Sequence, residues 1–547
     1  MRIFIAQINP TLGDIEKNSQ RVIDALRRAK EKGAEVVVFP ELTLCGYFPE
    51  DLLLDMEMIR QMEKKLHQIA PLTKGLFVAL GLARVNASGK EKPLFNSAAI
   101  FMDGKLCGFK DKILLPTYDV FDERRYFEPG QGEPIWEYRG LRIGVSICED
   151  VWQHSHQLEG YSDYLRDPVE ELKGKRLDLL LNLSGSPYYF QREYAREQVF
   201  AAAARTVKCP IAFCNQVGAN DQLVFDGHSF FMDAKGGILQ MAKGFEEEDL
   251  IAQLDQKPIH CEREDPIKNL YKALVLGVHD YFFKQGFHKA IVGLSGGIDS
   301  ALVTCIAKEA LGAKNVLAIA MPSRFSSKGS IEDAIALTKQ LGVELKTISI
   351  EPIFKEYLSL LEPHFQGRKM DETEENLQSR IRGMILMAFS NKFGFILLNT
   401  GNKSEMAMGY CTLYGDMAGG LGVLHDVSKL QIYKLAHLIK IPEPIIQKVP
   451  SAELKENQTD LDVLPPFEIL DPIIEDYIEK RLPIEQIAKN RNQSIALVQK
   501  IAHQIHISEY KRRQAPIGIR VSPKAFSKGR IVPIVQKWSI PHLLTAK

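Results

Sequence analysis

The chain reads as two α/β units in series, and three observations carry that reading. Apolar strand-like runs alternate with helical periodicity through the first half. In the second half an apolar strand ending at Leu294 turns through Ser295-Gly-Gly-Ile-Asp-Ser300 into a helix, and strands and helices keep alternating beyond it. Between the halves lie an acidic run, Glu246-Glu247-Glu248-Asp249, and a Glu262-Arg-Glu-Asp-Pro266 turn. At 547 residues the chain exceeds one usual domain. Units are therefore expected over 1–245 and 266–547, with 246–265 as a linker.

In the first half, strands are expected at 3–8, 35–39, 76–83, 97–102, 141–147, 177–183, 211–215 and 224–232, with helices over 14–32 and 191–207. No internal period of 20 to 50 residues appears, which excludes a solenoid. A helix over 267–285 then leads to the glycine loop. After it come a strand at 316–321, a helix over 330–341 and strands at 343–350 and 394–399. That βαβ order predicts a doubly wound parallel sheet, whose ligands bind beyond the strand C-termini.

Composition narrows the partners. The 69 basic and 69 acidic residues cancel, so nothing favours a nucleic acid as the main partner. No 18-residue apolar span suggests a membrane segment. Eight cysteines, at 45, 107, 148, 209, 214, 261, 305 and 411, form no Cys-x-x-Cys pair. They are neither a zinc site nor a disulfide framework, and they point to a reducing cytoplasm.

The loop over 295–300 is the strongest chemical signal. Gly296 and Gly297 let backbone N–H groups approach an anion, Ser295 and Ser300 add hydroxyls, and the following helix offers its positive N-terminus. It lacks the Gly-Lys-Ser/Thr of a P-loop and the Gly-x-Gly-x-x-Gly of a dinucleotide fold. Asp299 instead puts a carboxylate into the cradle, so a divalent cation, Mg2+, is expected between it and a nucleotide phosphate. Met321, at the next strand end, offers an apolar slot for adenine. Glu405, just past the strand at 394–399, is placed to give that cation a second oxygen.

Three strand ends in the first half carry unusual residues: Phe39-Pro40-Glu41, Lys110-Asp111-Lys112 and Cys148-Glu149-Asp150. Singly, each has a bland explanation; a thiol closing an apolar strand is usually a small core group. Together they supply a base, a cation and a nucleophile for attack on an amide. These segments resemble the nitrilase family of carbon-nitrogen hydrolases. The resemblance implies an αββα sandwich, with Glu41 as general base, Lys112 steadying the tetrahedral intermediate and Cys148 as nucleophile. In members acting on glutamine it further implies that Tyr118, Ser186 and Arg192 hold the amino acid.

In the second half, Asn376-Leu-Gln-Ser-Arg380-Ile-Arg382, Tyr414-Gly-Asp416-Met-Ala-Gly-Gly420, the segment from Pro450 to Pro466 and Lys511-Arg-Arg-Gln-Ala-Pro516 join the glycine loop. Together they resemble the NAD synthetase family. Behind an amidase half, they point to its glutamine-dependent branch. The resemblance implies an adenine nucleotide alpha hydrolase-like sheet. Gly293, Leu294, Ser295, Gly296, Gly297, Ile298, Asp299, Ser300, Met321 and Thr400 would bind ATP. Asn376, Glu405 and Lys511 would bind nicotinic acid adenine dinucleotide, and Asp299 and Glu405 would hold Mg2+. It also implies a homo-oligomer, at least a dimer, and passage of ammonia between two sites. One departure stands out: in Asp426-Val-Ser428-Lys429, Ser replaces an expected Pro, which suggests a looser turn. Two other readings stay open, an amidase fused to a tRNA-modifying pyrophosphatase-loop enzyme and a non-enzymatic oligomerisation role for the first half.

Overall fold

The computed structural model describes residues 1–89, 91–155, 164–259 and 263–538. Cys261 and Glu262 therefore lie outside the described residues. The chain divides into two compact units, Met1–Glu264 and Asp265–Lys547.

The first unit is an αββα sandwich. Its strands are β1 Arg2–Gln7, β2 Val36–Val38, β3 Phe77–Val85, β4 Leu94–Met102, β5 Lys105–Asp111, β6 Ile135–Tyr138, β7 Leu141–Ile147, β8 Leu179–Ser184, β9 Ile211–Asn215, β10 Val217–Asn220, β11 Leu223–Asp226, β12 Phe230–Met232, β13 Ile238–Met241 and β14 Glu248–Gln253. One six-stranded sheet runs β14-β1-β2-β3-β4-β5 and the other β13-β12-β9-β8-β7-β6. The period-2 pattern of each strand divides its side chains between two cores. Ile3, Val38, Ala79 and Ile100 of one sheet meet Val145, Leu181 and Ala212 of the other. Opposite residues, such as Phe4, Val37 and Val78, face helices α1 Ile15–Glu31 and α2 Met56–Ile69. Helices α3 Pro168–Leu172 and α4 Arg192–Val207 cover the second sheet.

Two expectations change here. The segment expected as a linker contains β14, which pairs antiparallel with β1 from Arg2↔Gln253 to Gln7↔Glu248. Its acidic residues are tied down by basic ones, as Asp249 accepts from Arg28 Nε and Nη2 at 2.6 and 2.9 Å. The single strand expected over 224–232 is two strands in different sheets. The chain turns between them at His228, φ +48, and Asp226, the last residue of β11, pairs through its side chain with Arg196.

In the second unit, α5 Pro266–Phe283 leads to β15 Ala290–Gly293 and α6 Ile298–Leu311. Then follow β16 Val316–Ala320, α7 Lys328–Leu341, β17 Glu344–Thr347, α8 Glu351–Leu361, α9 Glu372–Phe393, β18 Ile396–Asn399, α10 Lys403–Met408, β19 Leu421–Gly422 and α11 Lys429–Leu438. The sheet order is β17-β16-β15-β18-β19, with every pairing parallel. The chain winds outward from β15 on one side and restarts at β18 on the other. The crevice between their C-terminal ends is the switch point.

The turn expected to be loose at Ser428 is a helix cap. Ser428 Oγ accepts from Gln431 N–H at 3.3 Å, and Gln431 Oε1 accepts from Ser428 N–H at 3.1 Å. That reciprocal pair fixes the first turn of α11, which carries Lys429.

Candidate functional site

In the first unit, Glu41 follows β2, Lys112 follows β5 and Cys148 follows β7. Glu41 can sit over β3 because residue 81 is glycine: a Cβ there would lie 2.3 Å from Pro40 O. Lys112 Nζ donates to Glu41 Oε1 and to Glu123 Oε1, both at 2.7 Å, in full burial. Asn96 Nδ2 donates to Glu41 Oε1 at 2.8 Å, and Gly185 N–H donates to Glu41 Oε2 at 2.9 Å. Tyr47 OH donates to Glu123 Oε1 at 2.6 Å. Both acids are thus held by fixed donors.

Burial alone would favour neutral Lys112, but Glu123 and Glu41 outweigh it and hold the ammonium well above its ordinary pKa. Burial, with Glu41 adding to it, pushes Glu123 up to about 7. Cys148 begins a 3-10 turn at φ +39 and is 6% exposed. Burial pushes its thiol well above the ordinary value, Glu41 raises it further and Lys112 opposes both. Cys148 therefore rests as a thiol, and forming a thiolate there would need a base.

Of the residues expected to hold an amino acid, Tyr118 OH donates to both oxygens of Glu149, at 3.0 and 3.2 Å. Tyr164 OH donates to Glu149 Oε1 at 3.1 Å. Burial pushes Glu149 up to about 7. The Arg192 guanidinium stacks 3.7 Å from the Trp152 ring centre and donates to Tyr189 OH, while its Nε is buried with no hydrogen-bond partner among the described residues. Ser186 is buried, and its N–H donates to Asn215 Oδ1 at 2.9 Å.

The second unit opens two adjoining cavities, of about 260 and about 340 Å3, at its switch point. The first is lined by Gly293, Leu294, Ser295, Met321, Arg382 and Thr400, among others. The second is lined by Gly297, Ile298, Asp299, Ser300 and Glu405, and shares Ser295 and Thr400 with the first. Of the loop residues expected here, Gly296 alone lines neither. It sits at φ +83, where a Cβ would come within 2.2 Å of Ser330 O, and its carbonyl accepts from Lys448 Nζ at 3.1 Å. Ser295 and Ser300 hydroxyls bond each other at 3.1 Å and hold the loop from within.

Asp299 receives Lys429 Nζ on Oδ2, at 2.5 Å, and Asn402 Nδ2 on Oδ1, at 3.0 Å. Glu405 is pushed up to about 8 by burial and by the Asp299 charge. Among the described residues no group of three or more His, Cys, Asp or Glu forms a metal-binding cluster. The two carboxylates repel each other around one ammonium, and their oxygens are of the kind that could hold a hard cation. Asn376 and Lys511 stand back from both cavities and brace one segment. Thr412 Oγ1 donates to Asn376 Oδ1 at 2.6 Å, and Lys511 Nζ donates to the Gly409 and Cys411 carbonyls at 2.8 Å.

Sequence reasoning missed Glu123, Asn96 and Glu149 in the first unit, and Lys429, Lys448 and Asp460 in the second. Asn96 had a signal, an amide inside the apolar run of β4; Glu149 had another, its place beside the thiol. Among the described residues no helix is long and apolar enough to cross a membrane.

The first unit thus carries an amidase-type thiol site and the second a nucleotide crevice, which defines the class: an amide hydrolase joined to an adenine-nucleotide enzyme. Residues 2–260 match the carbon-nitrogen hydrolase family, and residues 270–515 match the NAD synthase family. The chain is 43% identical over 551 residues to the glutamine-dependent NAD(+) synthetase of Synechocystis sp., covering 98% of each. It is 41% identical over 593 residues to that of Thermotoga maritima, covering 99% of each. The solved structure of the Acinetobacter baumannii enzyme, in complex with ADP, shares 37% identity at a TM-score of 0.77, covering 98% of this chain and 99% of that one. The chain belongs to the glutamine-dependent NAD(+) synthetase family.

Proposed function

We propose that Cys148 attacks the side-chain amide carbon of glutamine while Glu41 takes the thiol proton. The tetrahedral oxyanion forms near the Lys112 ammonium. Glu41 returns the proton to the leaving nitrogen, ammonia departs, and water hydrolyses the Cys148 thioester to glutamate with Glu41 again as base. The observation that carries this reading is the buried Lys112 held at 2.7 Å by both Glu41 and Glu123. A cation so fixed needs no reorganisation as negative charge develops. Glutamine itself is a zwitterion, and Glu149 with Arg192 offers one charge of each sign for its α-ammonium and α-carboxylate. Tyr118 orients Glu149, and Ser186 completes the pocket.

In the second unit, the loop from Gly293 to Ser300, with Met321 and Thr400, holds ATP. The carboxylate of nicotinic acid adenine dinucleotide attacks the α-phosphorus, pyrophosphate leaves, and ammonia then displaces AMP to give NAD. Activation is needed because a free carboxylate is a poor electrophile. Asp299 and Glu405 would hold Mg2+, which supplies charge neutralisation of the phosphates. Asn376 and Lys511 act on the dinucleotide through the 409–412 segment they brace. We place the reaction in the cytoplasm, in a homo-oligomer of at least two copies that passes ammonia from one site to the other, with the domain junction near Glu264.

Cys148→Ala tests the two-site account. It should abolish synthesis from glutamine and leave synthesis from added ammonium at the unmodified rate; loss of both would refute it. The products decide the activation chemistry: AMP with pyrophosphate supports the adenylate, and ADP with phosphate rules it out.

A further inference from the structure

Asp150 has no part in the chemistry proposed above, yet both its carboxylate oxygens are committed to backbone that carries the reacting groups. Oδ1 accepts from the N–H groups of Ile113 and Leu114, each at 2.9 Å, directly after Lys112. Oδ2 accepts from Ile147 N–H, directly before Cys148, at 3.2 Å, and faces Lys110 Nζ at 3.5 Å. The side chain is fully enclosed. Lys112 follows a strand of one sheet and Cys148 a strand of the other. This carboxylate therefore ties the two sheets together at the place where ammonium and thiol must meet.

The need for such a tie is visible at Cys148 itself. A non-glycine residue at φ +39 is strained by about 1–3 kcal/mol and persists only where its surroundings over-determine it. Asp150 supplies that constraint from two residues downstream. Only an ionised carboxylate can do so, because three N–H donors and an ammonium converge on it and each requires an acceptor.

We propose that Asp150 is a positioning residue of the glutaminase site: its carboxylate locks the backbone after Lys112 to the backbone before Cys148 and so sets the ammonium against the thiol. The inference rests on the reading of Cys148 and Lys112 given above.

Asp150→Asn tests it. An amide has one acceptor oxygen, so its NH2 must face either the Ile113 and Leu114 donors or that of Ile147, and the tie opens at one end. Misplacement on the scale of an ångström lowers the glutamine-dependent kcat by about 10²-fold. The KM for glutamine stays within about twofold, because Tyr118, Arg192 and Glu149 are untouched. Alkylation of Cys148 by iodoacetamide slows and its pH midpoint moves up, while ammonium-dependent synthesis is unchanged. An unchanged kcat with an unchanged alkylation profile overturns the proposal. Cys148→Ala run alongside separates the two failures: if it keeps glutamine-dependent synthesis, the reading of the nucleophile is at fault, whatever Asp150→Asn does. Should Asp150→Asn not fold, hydrogen exchange in the unmodified enzyme decides. Protection of the Ile113, Leu114 and Ile147 amides equal to that of the β7 interior supports the tie, and exchange at the rate of open loops overturns it.

Discussion

Replacing Lys112 with Met keeps most of the side-chain volume and removes the charge, so its cost reads the electrostatics of the first site directly. Two carboxylate oxygens, Glu41 Oε1 and Glu123 Oε1, each lose a donor at 2.7 Å in a region with no exposed side-chain surface. Removing one partner of a buried ion pair costs about 3–5 kcal/mol, because the remaining charge is left uncompensated. Two stranded acids argue for the upper end. Two features of the site argue for less: Asn96 Nδ2 still reaches both acids, at 2.8 and 3.3 Å, and Glu123, already pushed up to about 7 by burial, takes up a proton. The expected loss is therefore about 3–4 kcal/mol within that range. The double variant Lys112→Met/Glu123→Gln should recover at least about 1 kcal/mol, since a buried amide costs less than a buried unpaired charge. Hydrogen exchange of β4 and β5 in the full chain measures the opening free energy of this unit without assuming two-state unfolding of both. A single-variant loss below about 1 kcal/mol, or a double variant no more stable than the single one, would refute the argument.

Other consequences are open to direct measurement. Arg192→Lys should raise the KM for glutamine about tenfold or more, because an ammonium cannot reproduce the planar stack on Trp152; steady-state kinetics with ammonium as a control would expose an unchanged KM. Folded Glu405 keeps a proton that the unfolded chain, with an ordinary value of 4.5, has released. Its contribution therefore destabilises the second unit progressively as pH rises from about 4.5 to about 8. Glu405→Gln should flatten that slope in thermal melts taken across the window. By the same sign, binding of Mg-ATP at pH 7 should release protons, measured by calorimetry in buffers of different ionisation enthalpy, and Glu405→Gln should suppress the release. Ser428→Pro removes both halves of the cap on α11 and should cost about 1 kcal/mol of stability, an effect that denaturant titration can resolve; a stabilised variant would count against the cap.

The parts of the molecule that were legible in the sequence are those where local pattern and chemistry coincide. Glu41 and Cys148 each end an apolar strand, Lys112 directly precedes the apolar Ile113-Leu114-Leu115, and the loop from Ser295 to Ser300 joins a strand to a helix, so local pattern marks them and the family resemblance supplies their roles. Glu123 carries no such mark. It sits in an aperiodic stretch, and only the fold of the connection after β5, where Glu123 N–H reaches back to Pro116 O, brings it to Lys112. The break between β11 and β12 was hidden as well: a strand pattern shows neither the turn at His228, φ +48, nor that the Asp226 side chain pairs with Arg196 Nη2 at 2.9 Å. The acidic run at 246–249 read as linker because charge signals exposure, whereas basic residues on α1 let it become an edge strand. Ser428 shows the converse, since a residue that looked like a loosened turn is the better helix cap.

The two sites also solve opposite electrostatic problems, which bears on the order of events in each. Around Cys148 one ammonium, Lys112, answers Glu41 and Glu123, and burial pushes Glu123 up to about 7, so little net charge remains and a zwitterion would need no counter-ion. At the switch point one ammonium, Lys429, faces Asp299, Glu405 and the buried Asp460, all of which act on its charge. A triphosphate adds several negative charges to a crevice already rich in them. Each unscreened like-charge pair at about 4 Å costs about 4 kcal/mol at an effective dielectric of about 20. Bare ATP would therefore be repelled, and burial together with the Asp299 charge already pushes Glu405 up to about 8. On the proposed reading the nucleotide would arrive together with a cation, whereas glutamine would need none. Chelation should consequently silence synthesis from ammonium while leaving the intrinsic reactivity of Cys148 toward iodoacetamide intact.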